Sequence, residues 1–514
     1  MSRVTRLVII ALGLARPLAA QHDQDHGAAQ LGRVVFPTSC NATAQREFER
    51  AMTYLHSFWW EQGLGAFQAV VAADSSCAMG YWGLALNAWG NPFAGGAPPT
   101  SESARRGAAA AQRAAALGAP TPREQGFIAA AAALYRGYDS TPNGRRLQAY
   151  SDTLARVYRD FPNDPEVAIY YALSLVATAP KTDTTFARQK HAAAILNPLF
   201  QRFPAHPGLA HYIIHANDSP QLAALGLDAA RRYAAIAPAA PHAQHMPSHI
   251  FIRRGLWDEA IAANQRAFQA GVDYARSQHT GVAPEQIHAL DYMVYAYLQE
   301  GRDSAARRTI TDALASQTTL ANDALVANYN RVAMEARLPL ERGDWAAAAQ
   351  LPVRSGGMTI GAALSHFARG IGAARMADTT QARVASAALT AIEADMTRRG
   401  DNDWARVVGI KVSQLFTLIF CLGAALAAFA GVMGAPILSA YPGLDADMLP
   451  LALIVVILGG TGSLLGALVG SFVIGFLYNF GQVMFPDLAY VILFLPMVLV
   501  LVLRPQGLFG RVAP

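Results

Sequence analysis

Six histidines recur along the chain at a spacing that could bind a metal ion. His211 and His215 are four residues apart, and so are His245 and His249. Residues four apart lie on the same face of a helix, so each pair can present two imidazoles to one ion. Imidazole suits zinc or iron. The predicted metal-ligand set is His211, His215, His242, His245, His249 and His288. The alternative is that these side chains pack between helices and form hydrogen bonds with carbonyl groups.

Other catalytic patterns are absent from the sequence. There is no HExxH motif, so the general base of a metalloprotease is missing. There is also no GxSxG motif and no Gly-rich phosphate loop. We therefore assign no catalytic residue and predict that the protein is not an enzyme. A metal-dependent enzyme that uses these histidines is the last-ranked alternative.

The N-terminus is typical of an export signal. Arg3 and Arg6 precede the apolar stretch Leu7–Ala15, and small residues follow before Gln21. The prediction is a signal peptide at 1–20 and a loose segment at 21–43; the alternative is a short uncleaved anchor.

In an oxidising compartment Cys40 and Cys77 could form a disulfide, whereas the alternative is two buried free thiols.

Residues 44–404 show the apolar periodicity of helices, with Gly, Pro and Asp between segments. Five stretches fit the small–bulky–small spacing of a tetratricopeptide repeat, one of them at Gly63, Phe67 and Val70. Small residues let the two helices of a hairpin approach closely, and the bulky residue fills the gap to the next hairpin. The aromatic residues near positions 58–60 and 81–82 are predicted to lie in the core.

Residues 405–514 have a different composition, with seven charged residues between long apolar runs. Spans are predicted at about 414–436, 448–478 and 489–503, since a bilayer needs about 20 residues per helix. The second run is interrupted by Gly459, Gly460, Gly462 and Ser463. Broken helices of this kind line substrate paths in transporters, while the alternative is a tight hairpin between two short helices. The predicted fold is all-α, with an α-solenoid of diverged tetratricopeptide-like hairpins followed by transmembrane helices with a Gly-broken segment.

Two resemblances to known families follow from these motifs. The stretch FERAMTYLHSFWWEQGLGAFQAVVAADSSCAMGYWGLALNAWGNPF, at residues 48–93, resembles a family of bacterial tetratricopeptide-repeat proteins, and the likeness covers about 36–404. The sequences VVILGGTGSLLGALVGSFVIGF and LVLRPQGLFGR resemble the C-terminal third of branched-chain amino acid ABC importer permeases, over about 405–514. The first resemblance implies a protein-binding role, and the second implies transport. The chain therefore resembles a fusion of the two.

The expected partners follow from the same resemblances. They are membrane lipid, an ABC ATPase, a second permease subunit, and a protein or peptide ligand of the repeat groove. The net charge of +5 is spread without a Lys/Arg block, which argues against a nucleic-acid partner.

The expected location is the bacterial inner membrane, with the repeats outside the cytoplasm if the signal peptide acts. Basic residues flank both ends of the apolar region and favour the cytoplasm, which conflicts with that signal.

Overall fold

The computed structural model describes residues 30–93, 101–180, 183–281, 283–315, 324–353, 359–398, 421, 423–434, 441, 443–460, 463–504 and 507–509. Within these ranges every regular element is a helix, which confirms the all-α fold class. The chain divides into two compact units, residues 1–409 and 410–514. The predicted signal peptide and the predicted boundary at 404/405 lie outside the described residues.

The described part of the first unit contains nineteen helices. They are α1 (Ala42–His56), α2 (Trp60–Ala73), α3 (Ala78–Trp89), α4 (Glu102–Leu117), α5 (Pro122–Tyr135), α6 (Asn143–Asp160), α7 (Pro165–Ala177), α8 (Ala187–Arg202), α9 (Pro207–Asn217), α10 (Leu227–Ile236), α11 (Pro241–His245), α12 (Pro247–Arg254), α13 (Trp257–Ser277), α14 (Pro284–Gln299), α15 (Asp303–Ala315), α16 (Ala324–Arg342), α17 (Trp345–Ala349), α18 (Thr359–Arg375) and α19 (Thr379–Arg398).

Local sequence signals set where these helices begin. Asn41 caps α1 by accepting hydrogen bonds from the amides of Thr43 and Ala44. Thr121 caps α5 by accepting from the amide of Glu124, and its hydroxyl donates to the Glu124 carboxylate. Proline occupies the first turn of α5, α7, α9, α11, α12 and α14, where its missing N–H costs nothing. The helix boundaries therefore follow from short-range chemistry.

Helices adjacent in the chain pack against each other, as in the pairs α1/α2, α3/α4, α5/α6, α7/α8 and α13/α14. At the first of these repeats, a Cβ atom added to Gly83 would overlap the ring of Phe67, which is itself fully buried. A small residue of α3 thus faces a bulky residue of α2. The assignment to the tetratricopeptide class stays a prediction.

The residues just before α1 pack into the core of the first unit. The prediction of a loose segment at 21–43 is wrong from residue 30 onward, because Leu31, Val34 and Phe36 are buried in the core. The backbone amide of Arg33 also donates to the carbonyl of Ala205 at 2.9 Å. Residues 21–29 lie outside the described set.

A disulfide joins Cys40, just before α1, to Cys77, just before α3.

The second unit contains helices α20 (Leu444–Gly459), α21 (Leu464–Met484) and α22 (Ala489–Leu503), and residues 423–434 are also helical. Helices α20, α21 and α22 pack on one another. Across the described ranges, no helix combines the length and apolar character needed to cross a membrane. Residues 414–420, 422 and 435–436 of the first predicted span and 461–462 of the second lie outside the described set. The three spans stay predictions.

Candidate functional site

Four helices of the first unit bring the six predicted histidines together. Helix α9 carries His211 and His215, α11 carries His242 and His245, α12 carries His249, and α14 carries His288. We call these six residues the histidine cluster. It consists of a first trio, His211, His215 and His242, and a second trio, His245, His249 and His288. Within each trio, one ring nitrogen from every member lies within 4.8 Å of the others.

In the first trio, His211 is the central member. Its Nε2 lies 3.1 Å from Nε2 of His215 and 3.2 Å from Nε2 of His242. Its Nδ1 lies 2.6 Å from the carbonyl oxygen of His56. A carbonyl can only accept, so Nδ1–H of His211 donates there, and Nε2 of the neutral ring carries a lone pair.

In the second trio, His245 Nε2 and His249 Nε2 are 3.1 Å apart. Nδ1 of His245 lies 2.6 Å from Oδ1 of Asn264, whose amide nitrogen donates to the carbonyl of Ala260. Nδ1 of His249 lies 2.8 Å from a carboxylate oxygen of Asp218. Both Nδ1 atoms therefore donate, and the Nε2 atoms of the two rings face each other. Hydrogen bonds of this type to a carboxylate or amide also orient the histidines of metal sites.

Burial keeps most of the cluster uncharged. Desolvation lowers the pKa of His211 to about 3, although the hydrogen bond to the carbonyl of His56 opposes the shift. Burial, with repulsion from the neighbouring imidazoles, lowers the pKa of His215, His242 and His245 well below the usual value. Neutral imidazole is the form that binds a metal ion.

Aromatic rings surround the cluster. Phe58, which has a left-handed φ of 53°, stacks on His242 with centroids 5.5 Å apart and meets His211 edge-on at 4.4 Å. Phe93 stacks on His215 at 4.0 Å. Tyr292 lies 4.9 Å from the ring of His249. The predicted core position of Phe58 is therefore also a wall of the histidine cluster, and these rings limit the access of water.

A further buried group was not predicted from the sequence. Glu166 accepts hydrogen bonds from His206 at 2.8 Å and from His56 at 3.2 Å. His206 Nδ1 accepts from the amide of Leu209, and His56 Nδ1 lies 3.0 Å from the hydroxyl of Tyr212. Burial opposes the charge on Glu166, but the two histidines outweigh it and lower its pKa below the usual range.

One set of tautomers satisfies every hydrogen bond in this Glu166 group. Its members lie on α1, α7 and the start of α9, so no local spacing signals them. The group has the character of a complete hydrogen-bonded core network. In the histidine cluster, by contrast, ring nitrogens with lone pairs face one another.

In the second unit, three residues of the predicted substrate path, Gly459, Gly460 and Ser463, lie between α20 and α21 or at their ends. Gly459 ends α20, Gly460 follows with a φ of 97°, and Ser463 caps α21 by accepting from the amide of Gly466. Gly462 lies outside the described residues. Added Cβ atoms at Gly459 and Gly466 would each overlap the backbone of the other residue, so the two helices cross in close contact here.

The C-terminal motif packs on this same turn. The amide of Leu508 donates to the carbonyl of Leu458 at 2.9 Å, and that of Phe509 donates to the carbonyl of Gly459 at 3.0 Å. Gly507, with a φ of 82°, leaves no room for a Cβ atom against Gly460. The two motifs that resemble a permease in sequence are therefore in direct contact.

Comparisons with known proteins agree with the resemblance of the second unit. Residues 396–501 match the family model described as branched-chain amino acid transport system / permease component. The high-affinity branched-chain amino acid transport system permease protein BraD of Pseudomonas aeruginosa is 35% identical over 113 residues, which are 22% of this chain and 37% of that protein. The corresponding permease protein LivH of Escherichia coli K12 is 32% identical over 115 residues, again 22% and 37%. Both names are those of transport proteins, which fits the prediction that the chain is not an enzyme.

A solved structure, the human IFIT1 dimer with PPP-AAAA, aligns with 68% of this chain and 72% of that chain at 14% identity. Its TM-score of 0.34 is too low to support any argument about this protein. The chain spans slightly more than a third of the length of the curated relatives that it matches. The likeness to branched-chain amino acid permeases thus concerns the C-terminal part of the chain.

Proposed function

We propose that the C-terminal unit acts as a segment of a branched-chain amino acid permease in a bacterial inner membrane. The family match at residues 396–501 carries this proposal. The contact between the Gly-rich turn and the C-terminal motif supports it, because the parts most similar to a permease pack on each other. A likeness to about a third of a permease means that transport needs further subunits, including a second permease chain and an ATPase.

The turn at Gly459 and Gly460 is the part of this segment where a substrate path would pass. An exposed backbone break is costly in lipid, so it persists where protein or water covers it. Here the backbone of residues 507–509 covers the turn. In the proposed assembly, the path runs along the side of the hairpin that those residues leave open.

Uptake of labelled leucine tests this proposal. The full chain would be produced in a strain that lacks one permease subunit of its branched-chain amino acid importer but keeps the other subunits. We expect uptake to rise with the wild-type chain and to stay at background with Gly459→Val, whose side chain would overlap the backbone of Gly466 and force the two helices apart. Gly431→Val is the matched control, because a Cβ atom at Gly431 meets nothing. Background uptake with the wild-type chain present in the membrane would refute the proposal.

A second candidate function belongs to the first unit, which we propose to be a repeat domain that binds a protein or peptide. The observation that favours it is the series of adjacent helix pairs with small residues at their contacts, which is the packing of helical-repeat proteins. Crosslinking of the full chain in cells, followed by mass spectrometry, tests it. We expect crosslinks from lysines and carboxylates of this unit to one recurring partner, and an absence of crosslinks beyond the chain itself would contradict it.

A further inference from the structure

The second trio contains a contact that neutral imidazoles cannot make by themselves. Asn264 and Asp218 fix the donating nitrogens of His245 and His249, so when both rings are neutral their Nε2 lone pairs face each other at 3.1 Å. Two acceptors at this distance repel. A cation between them removes the repulsion, and a ring nitrogen of His288 lies within reach of the same point.

The first trio also contains contacts that neutral imidazoles cannot all satisfy as hydrogen bonds. His211 Nε2 has one lone pair, yet the Nε2 atoms of His215 and His242 both approach it, at 3.1 and 3.2 Å. One lone pair accepts one well-formed hydrogen bond. Three imidazole nitrogens around one metal ion, each at about 2.0–2.1 Å, would be separated by roughly 3.3–3.6 Å. The two separations from His211 lie just below that range, and all three nitrogens lie within 4.8 Å of one another.

We propose that each trio binds one monovalent copper ion, so that the histidine cluster holds a pair of copper ions. The trios are adjacent, since the ring centroids of His215 and His249 are 6.3 Å apart and those of His242 and His245 are 6.1 Å apart. Imidazole suits copper as well as zinc, iron and nickel, and divalent copper binds most tightly in the first-row series.

The charge balance selects the monovalent ion. All six ligands are neutral, and both carboxylates next to the cluster are already paired with arginines. Asp218 contacts Arg253 at 3.0 Å, and Asp291 contacts Arg337 at 3.0 Å. Two divalent ions would add four uncompensated positive charges to a buried site, whereas two monovalent copper ions add two. Burial of unpaired charge is costly, so the ion with the smaller charge is favoured.

The surroundings favour the same ion. Phe58 and Phe93 stack on first-trio imidazoles, and Tyr292 packs on the second trio. A hydrophobic shell that limits solvent access controls which oxidation state a bound metal keeps. A proton on Nε2 of His249 would let that ring donate to Nε2 of His245. It would leave two nitrogens, from His215 and His242, approaching the single lone pair of His211. A metal ion in each trio relieves both.

An anaerobic titration of the full-length, metal-free protein tests the proposal. Cuprous ion would be supplied as its bicinchoninate complex, and transfer to the protein would be read from the loss of that complex's colour. We expect two copper ions per chain. His215→Ala should leave one ion, His249→Ala should leave one ion, and the double variant should bind none. His191→Ala is the control, because His191 is exposed and outside the cluster, and it should still bind two.

X-ray absorption of the copper-loaded wild-type protein provides a readout that depends on no variant. We expect about three nitrogen neighbours per copper at about 2.0 Å and an edge typical of the monovalent ion. The proposal is overturned by binding of fewer than two ions per chain, by unchanged binding in the two single variants, or by oxygen or sulfur ligands. It is also overturned if equimolar Zn²⁺ displaces the copper. None of these results bears on transport by the second unit, so the two proposals can fail separately.

Discussion

Acid should destabilise the metal-free first unit, and the buried imidazole of His211 sets a minimum size for this effect. Its pKa is lowered to about 3 by burial, while the unfolded side chain titrates near 6.5. Between these values the unfolded chain binds one more proton than the native chain. The contribution of the neutral His211 ring to the free energy of unfolding is therefore fully present above about pH 6.5. It is lost as the pH falls toward 3, by about 1.4 kcal/mol per pH unit. From pH 6.5 to 5.0 the loss is about 2 kcal/mol.

Three further histidines act in the same direction, because burial also lowers the pKa of His215, His242 and His245. Since a protein is stable by only about 5–15 kcal/mol, the expected loss is a large fraction of the total. The assay is urea unfolding of the full chain in the presence of a chelator, at several pH values, followed by tryptophan fluorescence. All seven tryptophans precede residue 405, so the signal reports on the first unit.

The variant His211→Asn isolates the contribution of one ring. An amide can still donate to the carbonyl of His56, but it does not titrate. We expect the dependence of stability on pH to become shallower by about 1.4 kcal/mol per unit between pH 5 and 6. His191→Ala, at an exposed position, is the control and should leave the dependence unchanged. A wild-type protein equally stable at pH 5.0 and 6.5 would refute the reasoning that the cluster is buried and neutral.

Three other predictions concern packing. Reduction of the disulfide should lower the free energy of unfolding by about 3.8 kcal/mol from loop-closure entropy over its separation of 37 residues, and equal urea midpoints of oxidised and reduced protein would contradict this. Gly83→Ala should destabilise the protein by about 1–3 kcal/mol through overlap with Phe67, whereas Gly65→Ala, in open space, should not; thermal unfolding compares the two. Gly507→Ala should release the C-terminal motif and speed its cleavage by carboxypeptidase, with Gly431→Ala unchanged as the control.

Local signals in the sequence predict much of this structure. The spacing of four residues between His211 and His215 correctly indicates a pair on one face of α9. The same spacing between His245 and His249 does not indicate one helix face, because α11 ends at His245 and His249 lies on α12. The prolines and the N-cap residues indicate where the helices begin. These features depend on residues within one or two turns of each other, so a single sequence contains them.

Contacts between distant segments could not be predicted in this way. No local pattern connects His56, Glu166 and His206, which meet only because α1, α7 and α9 pack together. The sequence also does not specify that His242 joins the α9 pair while His245 joins α12 and α14. Phe36 illustrates the same limit, since the polar residues before it suggested a loose segment, yet its ring is packed between Phe48 and Phe127.

The buried segment at residues 30–36 has a consequence for the order of events during synthesis. Gln30 and Arg33 form backbone hydrogen bonds with Ala239 and Ala205, which the ribosome adds roughly 170–210 residues later. At about 5–20 residues per second, the segment must wait for roughly ten to forty seconds before its binding site exists. During that interval the apolar side chains of Leu31, Val34 and Phe36 have no native partner among those later residues. Residues 30–36 are thus fixed late, and a factor that binds nascent apolar segments would find these side chains exposed during that interval.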